Sequence, residues 1–297
     1  MPATPDSPYG AGTIDLHSHT NESDGTLTPA ELVTLAKRLG LDALAITDHD
    51  TFAGYEKALP FARETGLDLV RGIELNSRFR LNDDSGVQYV HLLAYFPTSE
   101  PSPDFSAWLN GEREDRRNRN RRLVDALRQK GIDISLEEVE QRGRSLAGRP
   151  HFARILVEKG YAVNSEDAFT RYIGEQAPTY VERQSQDSET VIRRIRNGNG
   201  IPVVAHPVRL GLHRAEEREA LLRFKAAGLL GLEVYHSEHP PVLQAHYRQL
   251  AEELGLLPTG GSDFHGTVKP DIQLGTGLRR NIRVPLEFLV DMRRTAS

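Results

Sequence analysis

Cysteine is absent from all 297 residues. That excludes disulfides, iron–sulfur clusters, thiolate zinc sites and cysteine nucleophiles together, so any metal must rest on imidazole and carboxylate. Long apolar runs are missing too. No stretch approaches the roughly 18 apolar residues of a membrane helix, and 38% hydrophobic against 27% charged residues is the mix of a soluble globular protein. The opening MPATPDSPYGAGT has neither a basic start nor an apolar core, so it does not read as a signal peptide, and a cytoplasmic location is expected. A net charge of −5 gives no global basic footprint of a nucleic-acid coat protein. Lysine is scarce, with six of the 37 basic residues, and the arginine that replaces it is the better bidentate phosphate clamp.

What is present is a series of short, nearly continuous apolar runs that end in or carry His or an acid. They are TIDLHSH (13–19), ALAITDHD (43–50), DLVRGIELN (68–76), VQYVHLLAYF (87–96), IPVVAHP (201–207), LLGLEVYH (229–236) and LLPTGGSDFH (256–265). Such runs read as buried parallel strands. Between many of them lie helix-period segments at 28–40, 54–66, 188–198 and 240–255, the first with Thr28 as N-cap and Pro29 at N1. The alternation predicts an α/β barrel, in which polar residues at the C-terminal strand ends converge on one face.

The stretch 104–186 breaks the rhythm and predicts a helical insertion between barrel segments 12–103 and 187–285. It holds the charged run Glu112–Lys130, a capping box at Ser135 and Glu138, a loop at QRGRSLAGRP, and the helical patterns RPHFARILVEKG and NSEDAFTRYIG. The first dozen and last few residues read as frayed ends.

His17 and His19 stand on one side of the first strand, so both imidazoles reach a common ion. Asp24 lies in the next loop, His49 ends the second strand, Glu74 the third, His91 lies in the fourth, His206 ends the fifth, and Asp263 with His265 closes the last. Nine such side chains exceed the roughly four that one tetrahedral zinc takes, so two or three divalent ions are expected, with Glu74 and Asp263 as natural bridges. Ligands of this kind suit Mn2+, Zn2+ or Fe2+. Mn2+ is the expected ion.

The order DLHSHT, Asp24, ITDHD, GIELN, His91, AHP and GSDFHG resembles the PHP (polymerase and histidinol phosphatase) superfamily. The resemblance implies a distorted (β/α)7 barrel with a trinuclear metal site. Within it, GRPHFARILVEKG, YVE, AHPVR and GSDFHG look like the branch of the 3′,5′-nucleoside bisphosphate phosphatases and the RNase AM type of 5′-to-3′ exoribonuclease, including their helical insertion. Carried over residue by residue, His17, His19, Glu74 and Asp263 would hold one ion. Asp24, His49 and His265 would hold a second, and Glu74, His91 and His206 a third. Glu233-Val234-Tyr235-His236 has a His where relatives vary, which leaves its role open.

Arg149-Pro150-His151 opens a helix, so backbone N–H groups and a guanidinium converge there on an anion. Arg209, three residues after His206, would sit at the same rim. The expected catalytic residues are thus Glu74, Asp263 and Arg149, with His236 or His151 as candidate general acid, and Arg149, His151 and Arg209 as phosphate contacts. The run Glu112–Lys130, with eight basic and four acidic residues, reads either as a solvated helix with i,i+4 pairs or as a nucleic-acid track.

The expected activity is metal-dependent hydrolysis of nucleotide phosphate esters, either a 3′,5′-bisphosphate or a short 5′-phosphorylated RNA, with no protein partner. The rivals are a histidinol phosphate phosphatase, an amidohydrolase, and a metal-stabilised module that binds RNA ends without turnover. The GRPH insertion stands against the first. None of the six lysines occupies the strand end where an amidohydrolase carries its bridging carboxylated Lys.

Overall fold

The computed structural model describes residues 12–82, 86–144, 147–182 and 185–296. The expected frayed N-terminus falls on residues 1–11 and part of the expected insertion loop on 145–146, outside the described residues.

All seven apolar runs form strands: β1 (Thr13–Asp15), β2 (Ala43–Ile46), β3 (Asp68–Phe79), β4 (Gln88–Phe96), β5 (Ile201–Val204), β6 (Gly231–Tyr235) and β7 (Leu257–Gly260). They lie in that order in one sheet, to which β10 (Val284–Pro285) adds an eighth strand antiparallel to β1. A separate short pair, β8 (Ile272–Gln273) and β9 (Gly277–Leu278), lies in the return to it. Most neighbours run parallel, as expected. The exception is β4, which runs antiparallel to both β3 and β5. The connection between β3 and β4 spans residues 80–87, too short for the dozen or more that a parallel crossover needs.

The sheet nearly closes into a barrel where the chain leaving β1 meets the chain leaving β7. Leu16 N donates to Gly260 O (3.1 Å), Asp263 N to His17 O (2.9 Å) and His19 N to Phe264 O (2.9 Å). Gly261 permits this approach, because a Cβ there would collide with the backbone of His17. Alternate residues of each strand feed different cores. Leu93, Tyr95 and Val203 face inward with Ile14, Leu16 and Ala45, whereas Leu92, Ala94 and Val204 face the outer layer.

That outer layer comprises α7 (Ser188–Asn197), α8 (Arg214–Ala226) and α9 (Pro241–Leu254). On β2 lie α1 (Pro29–Leu39) and α2 (Ala53–Thr65), and α10 (Glu287–Ala296) covers one barrel end. The start of α1 follows its sequence: Thr28 accepts from Glu31 N while the Glu31 carboxylate accepts from Thr28 N.

The helix α3 (Pro103–Gln129) joins two cores. Its first turns pack Phe105 and Leu109 with the barrel strands. Its last turns pack Leu123, Val124 and Leu127 with α4 (Leu136–Gly143), α5 (Arg149–Glu158) and α6 (Ser165–Ala168) in a core of residues 123–173. Glu112, Arg116, Arg119 and Asn120 are buried between these ends, so the charged run is not a uniformly solvated face.

Candidate metal centre and adjoining cavity

Every side chain expected to ligate a metal comes to the mouth of the barrel. His17 and His19 follow β1, His49 follows β2, Glu74 lies within β3, His206 follows β5, and Asp263 and His265 follow β7. His91 reaches the same place from the interior of the reversed strand, opposite Asn76. Three residues of the site adopt positive φ without being glycine: Asp50 (50°), His206 (28°) and Asp263 (55°). Such conformations cost of order 1–3 kcal/mol each and collect at functional sites.

Glu74 stands at the centre. Its Oε2 lies 3.4, 3.2 and 3.4 Å from His17 Nε2, His19 Nε2 and His49 Nδ1. Its Oε1 lies 2.8 Å from His91 Nδ1 and 3.0 Å from His206 Nε2. Asp263 Oδ1 is 3.5 and 3.4 Å from the same nitrogens of His17 and His19. In the other direction Asp24 reaches His19 Nδ1 (3.6 Å), His49 Nε2 (3.6 Å) and His265 Nε2 (3.3 Å). The 3.2–3.6 Å separations are close to those between ligand atoms about a common ion, since bonds of 2.0–2.1 Å put tetrahedral neighbours roughly 3.3–3.4 Å apart, whereas the two contacts of Glu74 Oε1 are direct hydrogen bonds.

The donor set also fits a cation by what it leaves unsatisfied. His17 Nε2, both nitrogens of His19, and His49 Nδ1 are buried without a hydrogen-bond partner, a cost of about 1–3 kcal/mol each that coordination would remove. Among the described residues, potential ligand atoms group as His17, His19, Glu74 and Asp263; as His19, Asp24, His49 and His265; as His17, Glu233 and His236; and as His49, Glu74 and His91, so that His49 rather than the expected His206 joins Glu74 and His91. The chemistry suits divalent metal ions.

Electrostatics divides the imidazoles. Burial disfavours charge on His19, yet Asp263, Glu74 and Asp24 outweigh it and raise its pKa to about 9. His17 is raised against burial as well, by Glu233, Glu74 and Asp263. Burial wins at His49 and His206, lowered to about 4 and about 3. Conversely, Asp24, Glu74 and Asp263 are held well below the usual carboxylate range against burial, chiefly by His265, by His49 and by His265 respectively.

Three carboxylates that sequence reasoning gave no site role hold the ligands in place. Glu233, in β6 and fully buried, accepts from His17 Nδ1 (2.9 Å) and His206 N (2.6 Å). Asp15 accepts from His17 N, Ser262 N, Ser262 Oγ and Gly275 N at 2.6–3.1 Å, tying β1 to the loop that carries Asp263. Asp48 accepts from Thr20 N, Thr20 Oγ1 and Ser23 Oγ at 2.6–2.7 Å, fixing the loop that carries Asp24. Each was signalled by an acid inside an apolar strand run, which is costly to bury without donors.

Arg209, expected as a phosphate contact, does not line the cavity described below. It is held by Glu238 (Nε to Oε2, 2.9 Å) and by Asp263 (Nη2 to Oδ2, 3.2 Å). Lys269, unassigned by sequence, donates to the same Asp263 Oδ2 at 2.7 Å. His236 is fully buried behind Asp263, 3.4 Å from that oxygen. Its Nδ1 accepts from Glu238 N, which leaves the proton on Nε2.

In front of Asp24, His49 and His91 opens a cavity of about 230 Å3 whose far wall is formed by α3, α5 and residues between 169 and 185. That wall contributes Arg116, Arg119, Arg149 and His151. The Arg149 guanidinium lies over the rings of Phe169 (5.9 Å) and Tyr180 (5.7 Å). His151 Nδ1 accepts from Gly148 N (3.0 Å), so Nε2 carries the proton, and burial lowers the ring's pKa. Arg116 reaches back across the cavity floor to Asp50, beside His49.

The chain is similar to several known proteins. A 5′-3′ exoribonuclease of Haemophilus influenzae is 32% identical over 251 residues, covering 84% of this chain and 89% of that protein. A 3′,5′-nucleoside bisphosphate phosphatase of Chromobacterium violaceum is 31% identical over 254 residues, covering 85% and 87%. Among solved structures, a Bifidobacterium adolescentis protein assigned as a metal-dependent phosphoesterase superposes with a TM-score of 0.78 at 32% identity, covering 96% of each chain. The family model of the PHP domain matches residues 15–174, more than half of the chain, and the chain belongs to the PHP domain family.

Proposed function

We propose that the chain is a divalent-metal-dependent phosphoesterase that hydrolyses nucleotide phosphate esters, taking 3′,5′-nucleoside bisphosphates and the 5′ end of short 5′-phosphorylated RNA. One observation carries the reading: the His and carboxylate cluster and the arginines of the insertion face each other across one cavity. Negative charge on a phosphate ester would meet the cations that cluster is built to hold on one side and guanidinium groups on the other. The names of the Haemophilus and Chromobacterium relatives support the substrate class.

Two or three ions, Mn2+ first, would be held by His17, His19, Glu74 and Asp263, by Asp24, His49 and His265, and by Glu74, His91 and His206. When bound, such ions lower the pKa of a water toward neutrality and neutralise developing charge on phosphoryl oxygens. The chain's own residues do the rest. Glu74 offers one oxygen to each half of the cluster and so keeps the halves in register. Arg149, stiffened by Phe169 and Tyr180, grips a phosphate by its fork. His151, neutral with its proton on Nε2, donates to a phosphoryl or leaving oxygen. His236, fully buried behind Asp263 and not lining the cavity, keeps Asp263 aligned from behind rather than serving as the general acid expected from the sequence. Arg209 acts through Asp263 and Glu238 at the substrate's rim. In this reading the 104–186 insertion measures the substrate while the barrel cleaves it, without a protein partner and in the cytoplasm.

The test offers the purified protein with Mn2+ four substrates side by side: pAp, AMP, histidinol phosphate and a 5′-phosphorylated oligoribonucleotide. Release of phosphate from pAp and of mononucleotides from the RNA 5′ end is expected, with AMP and histidinol phosphate slow. Preferential turnover of histidinol phosphate would overturn the substrate class. Tight RNA binding without turnover would leave only an RNA-end binding module.

A further inference from the structure

Beside the cavity, on the insertion, lies a second groove of about 440 Å3 between α3 and α4, which Arg113, Arg117, Asn120, Glu140 and Arg144 help to line. It lies next to the cavity, with Arg116 between them. Arg116 lines both, and the neighbours Ala147 and Gly148 line one each. We propose that this groove carries the RNA strand on the 3′ side of the scissile bond, an inference that rests on the phosphoesterase reading above.

Size points this way first. A cavity of about 230 Å3 falls short of the roughly 300 Å3 at which small-molecule sites begin, so a nucleotide held at the metals with anything attached must extend into adjoining space. The groove that shares Arg116 with the cavity is the neighbouring space we assign to it. Charge points the same way: Arg113, Arg117 and Arg144 line it, beside Arg116 whose guanidinium pairs with Asp50, against Glu114 and Glu140. Glu140 accepts from Arg117 Nε (2.6 Å) and Nη2 (3.3 Å), which holds the guanidinium and leaves Nη1 outside these two bonds. Arg144 stands half-exposed at the groove's end, 3.9 Å from Glu22. No aromatic ring is among the described lining residues. The groove would therefore follow backbone phosphates and stack no bases, giving binding that depends on strand length and salt but not on sequence.

The test measures anisotropy of labelled, 5′-phosphorylated oligo(rA) of two, four and eight nucleotides. Phosphorothioate linkages keep the charge and resist cleavage. The metal-loaded wild type is compared with Arg113→Ala/Arg117→Ala/Arg144→Ala. In the wild type the Kd should tighten at least tenfold from two to four nucleotides and then level off. The variant should lose that gain, and its slope of log Kd against log salt should flatten by about two, at roughly 0.7 per lost phosphate contact. Its pAp hydrolysis should stay within twofold of wild type. Length-independent wild-type binding, or a variant with an unchanged salt slope, overturns the groove. A wild type that binds RNA in this length-dependent way yet cleaves neither pAp nor RNA overturns the phosphoesterase reading and leaves the groove standing. Poly(rA) and poly(rU) binding equally supports the backbone track; a tenfold base preference contradicts it.

Discussion

His17 and Glu233 are both fully buried and joined by a 2.9 Å hydrogen bond from Nδ1 to Oε1. The bond turns His17 Nε2 toward Glu74 and Asp263, while the second oxygen of Glu233 accepts from His206 N at 2.6 Å. One carboxylate thus orients two candidate ligands from opposite sides of the barrel. Partners of this kind typically govern 10–100-fold in metal affinity.

Glu233→Gln should therefore weaken metal binding by about 10–100-fold, because the amide can accept from one donor but must present N–H to the other. Calorimetric titration of the metal-free variant with Mn2+ checks it, with circular dichroism as control for the fold. Unchanged affinity in a folded variant would remove Glu233 from the site.

Proton competition should show in the pH dependence of metal binding. His19, raised to about 9 by Asp263, Glu74 and Asp24 against its burial, is protonated in the metal-free protein at all lower pH, and His17 is raised likewise. A metal must displace those protons. Affinity should rise by roughly tenfold per pH unit for each proton displaced between pH 6.5 and 9. His49 and His206, at about 4 and about 3, are already neutral there and add no slope. Titrations in buffers of different ionisation enthalpy count the protons released, and no release at pH 7 would sink this account. Activity should correspondingly vanish in chelator and return with Mn2+.

Asp263→Asn should lower kcat/KM by about 10³-fold or more, since it removes a charge that faces His17 and His19 on one side and Lys269 and Arg209 on the other. The neutral variant leaves those cations without their common carboxylate. A folded Asp263→Asn enzyme that keeps a tenth of wild-type turnover would contradict a ligand role.

Much of this was legible in the sequence, for physical reasons that differ by residue. The alternation in DLHSH predicts His17 and His19 on one side, and both indeed turn to Glu74. Capping chemistry marks the starts of α1 and α4. The reversal of β4 was less visible, because a buried strand's apolar run looks the same in either direction; only the short, polar RLNDDSG connection betrays it. Supporting acids such as Asp15 and Asp48 hide because their donors, Ser262 and Thr20, are distant or unremarkable in sequence. The charged run of α3 misleads for a related reason: periodicity does not tell that Arg116 and Arg119 turn inward, where Arg116 meets Asp50. Replacing Arg116 would therefore disturb the floor of the cavity, and a test of the RNA groove must leave it alone.

Arg149 separates an enzyme that measures a 5′-phosphate from a general phosphatase. It lies on the insertion wall, opposite Asp24, His49 and His91, with its guanidinium over Phe169 and Tyr180. A guanidinium stacked in this way is pre-organised for a two-point contact with a phosphate. If that phosphate is the non-reacting 5′ group, Arg149→Ala should cost about 2–4 kcal/mol in kcat/KM on pAp but much less on 3′-AMP, which lacks the group. Lys should rescue only in part, since it restores the charge without the fork or the stacking surface. Equal losses on the two substrates would move Arg149 to the scissile phosphoryl group, where both share the same contact. No loss on either would withdraw the phosphate role, and the arginines facing the cavity would have to be reassigned to holding the insertion against the barrel.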